Sequence, residues 1–205
     1  TDEHVEEAVG QTLFVVAYFE YLFGSKAAVV EMVEPVVNSG DADIAMKILA
    51  SAAYAENGDL EKGIRLCRAA LETEGLDRGQ RAALLNNLAY TLQFKATPDA
   101  LDEADQLSSE AYSLCPMLLP IRSTRALVLV ATDREREALA LTRDRRFRIE
   151  PKPTQAKVLC TQAMAYAKLG ETERAAESLA AAARLAPDSD RVAITRAELA
   201  RRATA

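Results

Sequence analysis

The sequence predicts an all-α protein made of about five antiparallel helix pairs in series, closed by one further helix. Three observations predict it. Alanine supplies 39 of the 205 residues against 8 Gly and 7 Pro, a balance that favours helix strongly. Loop-like glycines recur between apolar-periodic stretches, as Gly24 in Phe-Gly-Ser-Lys, Gly58 in Asn-Gly-Asp-Leu and Gly170 in Leu-Gly-Glu-Thr. A small residue followed three positions later by a large one also recurs, at intervals of 34 to 38 residues. Periods of that length are the mark of stacked repeats.

The elements follow in order. The first pair, about 4–38, begins with a stretch from Ala8 to Phe19 that carries no charge, then Glu20, then Tyr21-Leu22-Phe23. A membrane span needs about 20 apolar residues, and the Glu inside this run points instead to a helix buried on most sides or covered by a partner. Pro35 lies within the second helix of that pair and is expected to kink or shorten it. The second pair, about 42–73, turns at Gly58, with Ser51 and Tyr54 as its small and large residues. The third, about 78–115, has Ala89 and Leu92, and its longer spacing comes from an insertion at Lys95-Ala-Thr-Pro-Asp99. The fourth, about 117–149, has Ala126 and Leu129. Its stretch Arg134–Arg148 holds six Arg, with Glu135, Glu137 and Asp144 inside it and Asp133 just before, as in a helix laced with i,i+3 and i,i+4 pairs. The fifth, about 154–186, has Ala163 and Tyr166 and turns at Gly170. On the second helices the small positions read Val29, Gly63, Ala104, Ala138 and Ala175. The closing helix, about Ser189–Arg202, sets Val192, Ile194 and Leu199 on an inner face among Arg191, Arg196, Glu198, Arg201 and Arg202. A terminal cap of a repeat array needs that arrangement.

The pattern is fullest in the last pair. Leu159, Ala163, Tyr166, Gly170, Ala175, Leu179, Ala182 and Pro187 resemble the tetratricopeptide repeat, whose signature is W-x2-L-G-x2-Y, then A-x3-F, A and P over 34 residues. Tyr166, Ala175, Ala182 and Pro187 match it outright, while Leu159 stands for the Trp, Gln162 for the Leu, Ala163 for the Gly and Leu179 for the aromatic. The resemblance covers residues 42–187. It implies a right-handed superhelical solenoid with a degenerate pair at 1–41, the array at 42–187 and a cap at 188–205, all as one continuous domain.

The resemblance also implies a function, a protein-interaction scaffold whose concave face is lined by the first helix of each pair. Carried onto this chain, that face holds Tyr18, Ile48, Asn86, Tyr90, Phe94, Leu127 and Met164, with Phe14, Tyr21, Ala52, Gln93 and Lys168 near them. An apolar groove with a few polar markers suits a peptide or an amphipathic helix. For Tyr18, Leu127 and Met164 the plain alternative is packing between adjacent pairs. Asn86 and Asn87 sit in Leu85-Asn-Asn-Leu, where Asn is a poor helix former. Asn86 is expected to meet a ligand backbone, and Asn87 to fix the packing by an interhelical hydrogen bond. The two-carboxylate clamp of chaperone-binding relatives is not expected, because Ile48 and Ala52 occupy its positions. Arg122 and Arg125 are expected to pair at the surface with Asp133 or neighbours.

Charge and composition narrow the classes further. Residues 1–120 carry 8 Lys/Arg against 20 Asp/Glu, and residues 121–205 carry 17 against 11, an asymmetry that suits electrostatic partner choice or head-to-tail contact. A second reading is therefore a self-associating scaffold or homo-oligomeric assembly subunit. A third is the regulatory docking domain of a larger enzyme or membrane protein, since the chain begins at Thr1 and not Met. No catalytic residues, metal site or cofactor are expected: the lone His4 supplies no triad or cluster, and no phosphate loop or G-x-S-x-G is present. The acids Asp99, Asp102, Glu103 and Asp105 belong to a helix start. The densest basic stretch holds a single aromatic, Phe147, too few for a stacking platform, so nucleic acid is not an expected partner. Cys67, Cys115 and Cys160 are odd in number and widely spaced, as in a reduced cytoplasmic protein. Arg- and Ala-rich, Lys-poor usage suggests a bacterial source.

Overall fold

The computed structural model describes residues 2–203, with side chains for 10–202; His4 and the acids before Ala8 lie outside the described side chains. Every regular element among the described residues is helical. The chain divides into two compact units, Thr1–Cys115 and Pro116–Ala205.

The first unit contains α1 (Asp2–Phe23), α2 (Lys26–Ser39), α3 (Ile44–Asn57), α4 (Leu60–Leu71), α5 (Arg78–Gln93) and α6 (Pro98–Leu114). Each helix packs on the next, and α3 also packs on α1 and α5. First helices therefore line up with first helices, as stacked pairs require. The second unit contains α7 (Leu119–Ala131), α8 (Glu135–Thr142), a 3₁₀ turn (Arg145–Ile149), α9 (Lys152–Lys168), α10 (Thr172–Leu185) and α11 (Asp190–Ala203). There α7 packs on α8 and α9, α9 on α10, and α11 on both α9 and α10.

All ten expected small positions are buried. On first helices, Ala17, Ser51, Ala89, Ala126 and Ala163 are inaccessible to solvent; on second helices Val29, Gly63, Ala104, Ala138 and Ala175 are buried. The contact is backbone to backbone. A Cβ on Gly63 would stand 3.3 Å from the Ser51 carbonyl oxygen and 3.6 Å from the Ala55 nitrogen. Small residues at the crossing let the helix axes approach, and the large residues beside them fill the flanking space. Tyr54, Leu92, Leu129 and Tyr166 fill it here, all buried.

The same large residues help close the turns. Gly58 and Gly170 adopt left-handed φ of 91° and 77°. The next nitrogens, of Asp59 and Glu171, donate back to the carbonyls of Tyr54 and Tyr166 at 2.8 and 2.9 Å. In the fourth pair Asp133 (φ 59°) takes this place, and Arg134 N donates to Leu129 O at 2.8 Å. That is a repeated Schellman-type turn, and Asp tolerates the left-handed region better than most residues. Gly24 serves differently: the Glu20 carboxylate, which accepts from Ser25 N at 2.7 Å, lies where its Cβ would be. Ser25, Asp43, Asp77 and Thr97 cap the helices that follow them, Asp77 with Gln80 in a full capping box.

Three expectations need correction. Pro35 does not shorten α2, which continues to Ser39 before Gly40. Proline removes one intrahelical hydrogen bond, while Val33, buried, and Val36 and Val37, packed on the same core, hold the last turns in place. The second helix of the fourth pair stops at Thr142 and not 149, because Asp144 is extended and its carboxylate caps the 3₁₀ turn through Arg146 N at 2.9 Å. Ile194 lies on the outside of α11, 56% exposed, and Thr195 takes the inner place beside Val192. Positions 192, 195 and 199 share one helix face and 194 does not. Thr195 satisfies its buried hydroxyl by donating to Arg191 O at 2.8 Å.

Ala163→Leu is expected to lower unfolding free energy by about 1–3 kcal/mol through overpacking, whereas Ala140→Leu, at an exposed position, leaves it unchanged; urea melts compare the two. Gly58→Ala is expected to cost about 1–2 kcal/mol by placing a Cβ in the left-handed region, read from the shift in denaturation midpoint.

Candidate peptide-binding face

The first helices of unit 1 present one face assembled from residues at i, i+4 and i+7 or i+8. α1 contributes Phe14, Tyr18 and Tyr21; α3 contributes Ile48, Ala52 and Glu56; α5 contributes Asn86, Tyr90, Gln93 and Phe94. Asn87, the neighbour of Asn86, ties the scaffold together. Its amide donates to Ile48 O and to Ser51 Oγ, both at 3.0 Å, and so bolts α5 to α3 across the small-residue contact.

A tyrosine and acid cluster occupies one end of this face. Tyr21 OH donates to Glu56 Oε1 at 2.9 Å. Lys26 stands over the Tyr21 ring at 4.2 Å, donates to the Tyr21 carbonyl, and lies 3.9 Å from Glu56. Burial holds the Tyr21 hydroxyl well above its usual pKa; the Glu56 charge adds to this, and the phenols of Tyr90 and Tyr18 add less. The three tyrosines thus come from α1 and α5 to one neighbourhood. Phe14 stacks on Tyr18 at 5.9 Å and Tyr90 meets Phe94 edge-on at 5.1 Å, geometries that aromatic rings prefer.

Beside the aromatics, α5 carries two buried polar atoms without a hydrogen-bond partner among the described residues, Asn86 Oδ1 and Gln93 Nε2. Both side chains are 8% exposed. One atom is an acceptor and the other a donor, seven residues apart along the helix, roughly 10 Å. A cavity of about 530 Å³ lies where α1 passes the end of α2 and the start of α3, walled by Phe14, Val15, Val36 and Met46 and lined also by Asp41 and Asp43.

Of the expected groove residues, Tyr18, Ile48, Asn86, Tyr90 and Phe94 lie in unit 1. Tyr18 is 47% exposed, and Ile48, Tyr90 and Phe94 are half-buried. Leu127 and Met164 lie in unit 2, where Leu127 is buried and Met164 packs on the core around Ala126, Leu129 and Ala165. Glu56 and Lys26 are the members that sequence reading missed. Glu56 repeats the i+4 step from Ile48 through Ala52, the same step that links Asn86, Tyr90 and Phe94, and could have been found from it.

The arginines settle differently from expectation. Arg122 lies 3.7 Å from Asp144 and donates to Leu141 O, while Asp133 is taken by Lys168 at 2.6 Å. Arg125 is buried and not a surface group. Arg134 pairs with Glu137 three residues on. Glu103, in the acidic start of α6, accepts two hydrogen bonds from Arg68. Among the described residues no group of three or more His, Cys, Asp or Glu is placed to hold a metal ion, and no helix is long and apolar enough to cross a membrane.

No protein-family model and no curated protein matches the chain. Among solved structures it is similar to a thermophilic tetratricopeptide-repeat (TPR) protein of Thermus thermophilus, with TM-score 0.67 and 16% identity over 96% of this chain and 100% of that one. It is also similar to MamA of AMB-1 (TM-score 0.53, 19% identity, 87% of this chain and 98% of that one). A third likeness is YrrB, a TPR protein with an unusual peptide-binding site (TM-score 0.52, 16% identity, 95% of this chain and 96% of that one). These likenesses establish the fold: the chain is TPR-like.

Tyr21→Phe is expected to change the alkaline stability profile. The raised folded pKa means that the neutral phenol stabilises the fold fully below its unfolded value of about 10 and that this contribution is lost as pH rises through the folded value. Urea melts of both proteins from pH 8 to 11 should show a constant difference up to about pH 9.5 that shrinks above pH 10.

Proposed function

We propose that this TPR-like chain is a non-enzymatic interaction scaffold that takes an extended peptide along the first-helix face of unit 1. The observation that carries the reading is the orphaned pair on α5. Leaving a buried donor or acceptor unsatisfied costs about 1–3 kcal/mol per group, so Asn86 Oδ1 and Gln93 Nε2 gain from a ligand that supplies their partners. An extended backbone does so. Its N–H and C=O groups point to one side at alternate residues, and about three residues at ~3.3 Å each span the interval between the two amides. One peptide N–H donates to Asn86 Oδ1, and a carbonyl further along accepts from Gln93 Nε2.

Side-chain preference follows from the rest of the face. Tyr18, Tyr90, Phe94 and Ile48 offer apolar surface, and the cavity beside Phe14 and Met46 takes one bulky apolar side chain. Unit 1 holds 8 Lys/Arg against 20 Asp/Glu, which favours a basic, apolar peptide and opposes nucleic acid. Leu127 and Met164 contribute to packing and little to ligand contact. The thiols of Cys67, Cys115 and Cys160 are free, which suits the cytoplasm.

Selection of twelve-residue peptides by phage display on the intact chain tests the reading. Enriched peptides should be basic and apolar. Asn86→Ala with Tyr90→Ala, or Gln93→Leu alone, should weaken their binding about 3- to 10-fold or more while leaving unfolding midpoints unchanged or raised. Asn87→Ala should instead destabilise the fold, since it frees the Ser51 and Ile48 contacts. Unchanged affinity in the first two variants removes α5 from the site.

A further inference from the structure

Two exposed apolar patches on this chain lie outside the row of first-helix residues that forms the peptide face, Val15 alone also walling the cavity beside it, and they lie in units of opposite charge. The first is the outer side of α1. Val15, Val16, Phe19 and Phe23 are 63%, 49%, 64% and 64% exposed. The i, i+4, i+8 spacing of Val15, Phe19 and Phe23 places them on the side of the helix opposite Ala17, which is fully buried against the core. Phe19 and Phe23 pack on each other at 4.9 Å. The second patch is at the edge of unit 2. Met117 and Leu118 precede α7, Ile149 ends the 3₁₀ turn, and they are 65%, 49% and 84% exposed. The two segments are joined by Arg146, whose guanidinium donates to Met117 O at 3.1 Å, and by the buried cluster of Leu119, Phe147 and Val158 beneath them. Arg145 and Arg148 flank Ile149 and are exposed.

Contiguous apolar surface of this kind marks an interaction site. The charge of each unit says what covers it. Unit 1 carries 20 Asp/Glu against 8 Lys/Arg, and unit 2 carries 17 Lys/Arg against 11 Asp/Glu. An aromatic helix face on an acidic unit therefore complements an arginine-rimmed aliphatic patch on a basic one. We infer that the outer face of α1 in one copy docks on the Met117–Leu118–Ile149 patch of a second copy, giving head-to-tail self-association. Pairing α1 with α1 would instead bring two acidic units together. The contact is heterologous, so it leaves one free patch of each kind at the ends of every open oligomer. The seven side chains and their surroundings bury on the order of 1,000 Å², the low end of specific interfaces. The association is accordingly weak, concentration-dependent and strengthened by long-range attraction that salt screens.

The test is sedimentation equilibrium of the intact chain at 5 to 200 µM, in 50 and 500 mM NaCl, with Phe19→Asp and Ile149→Asp, both at exposed positions, checked for native helicity by circular dichroism. The mass of the unmodified chain should rise with concentration at 50 mM NaCl, and 500 mM NaCl should weaken association at least 5-fold. Each variant alone should sediment as a monomer of 22.3 kDa. An equimolar mixture of the two variants should form a one-to-one dimer and no more, because each retains the patch that the other lacks. A monomeric unmodified chain at 200 µM in 50 mM NaCl overturns the inference. So does an Ile149→Asp variant that still self-associates while Phe19→Asp does not, the outcome that α1-to-α1 pairing produces, and so does a mixture in which the variants fail to combine.

Discussion

Close approach of helix backbones at small residues is the constraint on which the rest of this structure depends. At Ser51 and Gly63 the helices of one pair come so near that a single added carbon would press on a carbonyl oxygen. Ala17, Ala89, Ala126 and Ala163 occupy the equivalent positions and are wholly buried. The pair so formed packs its first helix, α3, on α5, where Asn87 reaches both Ile48 O and Ser51 Oγ. A larger residue at any of these positions would force the pair apart. The face assembled from three successive first helices would lose its register with it.

That scaffold leaves α5 with a division of labour between adjacent asparagines. Asn87 is satisfied and holds the helices, while Asn86 Oδ1 and, two turns on, Gln93 Nε2 stay buried and unpaired. Buried polar groups in native proteins are nearly always satisfied, so an acceptor and a donor left open on one helix are the observation from which the proposed ligand contact is argued. The tyrosines nearby are placed by the same stacking. Tyr21 has its hydroxyl on Glu56, and Tyr18 and Tyr90 lie close enough to influence its ionisation. Amide hydrogen-bonding groups and aromatic surface thus lie side by side on α1 and α5, which is the basis of the recognition role proposed for this face.

Charge and exposure are distributed by a different logic. The acidic surplus ends where the first compact unit ends, and the basic surplus occupies the second. Within both units, ion pairs bridge helices at the surface, as between Arg68 and Glu103 or Lys168 and Asp133; such pairs contribute little stability singly. What they leave uncovered are the outer face of α1 and the edge formed by Met117, Leu118 and Ile149. A hydrophobic core has no use for either, and both retain the apolar area that association requires.

Most of the fold was legible in the residues. Helix pairing, the turns at Gly58 and Gly170 and all ten small positions follow from spacing, because a helix has one period and a close crossing tolerates few side chains. The α1 stretch reads as a helix buried on most sides or covered by a partner; within the chain it is not buried on most sides, since Val15, Val16, Tyr18, Phe19 and Phe23 are exposed. Sequence alone mistook the face of Ile194, the length of α8 and, of the two effects expected at Pro35, the shortening of α2. In each case a tertiary contact outweighed a local preference: Thr195 and Val192 share the inward face, Asp144 caps a separate turn, and the valines of α2 hold its end against the core. The partner of Arg122 and the burial of Arg125 could not be read, since charge pairing depends on which helices meet. Asn86 and Asn87 look alike in the chain. Only the packing of α5 on α3 gives one of them two acceptors and leaves the other open, because spacing along a helix sets a residue's direction but the neighbouring helix decides what waits there.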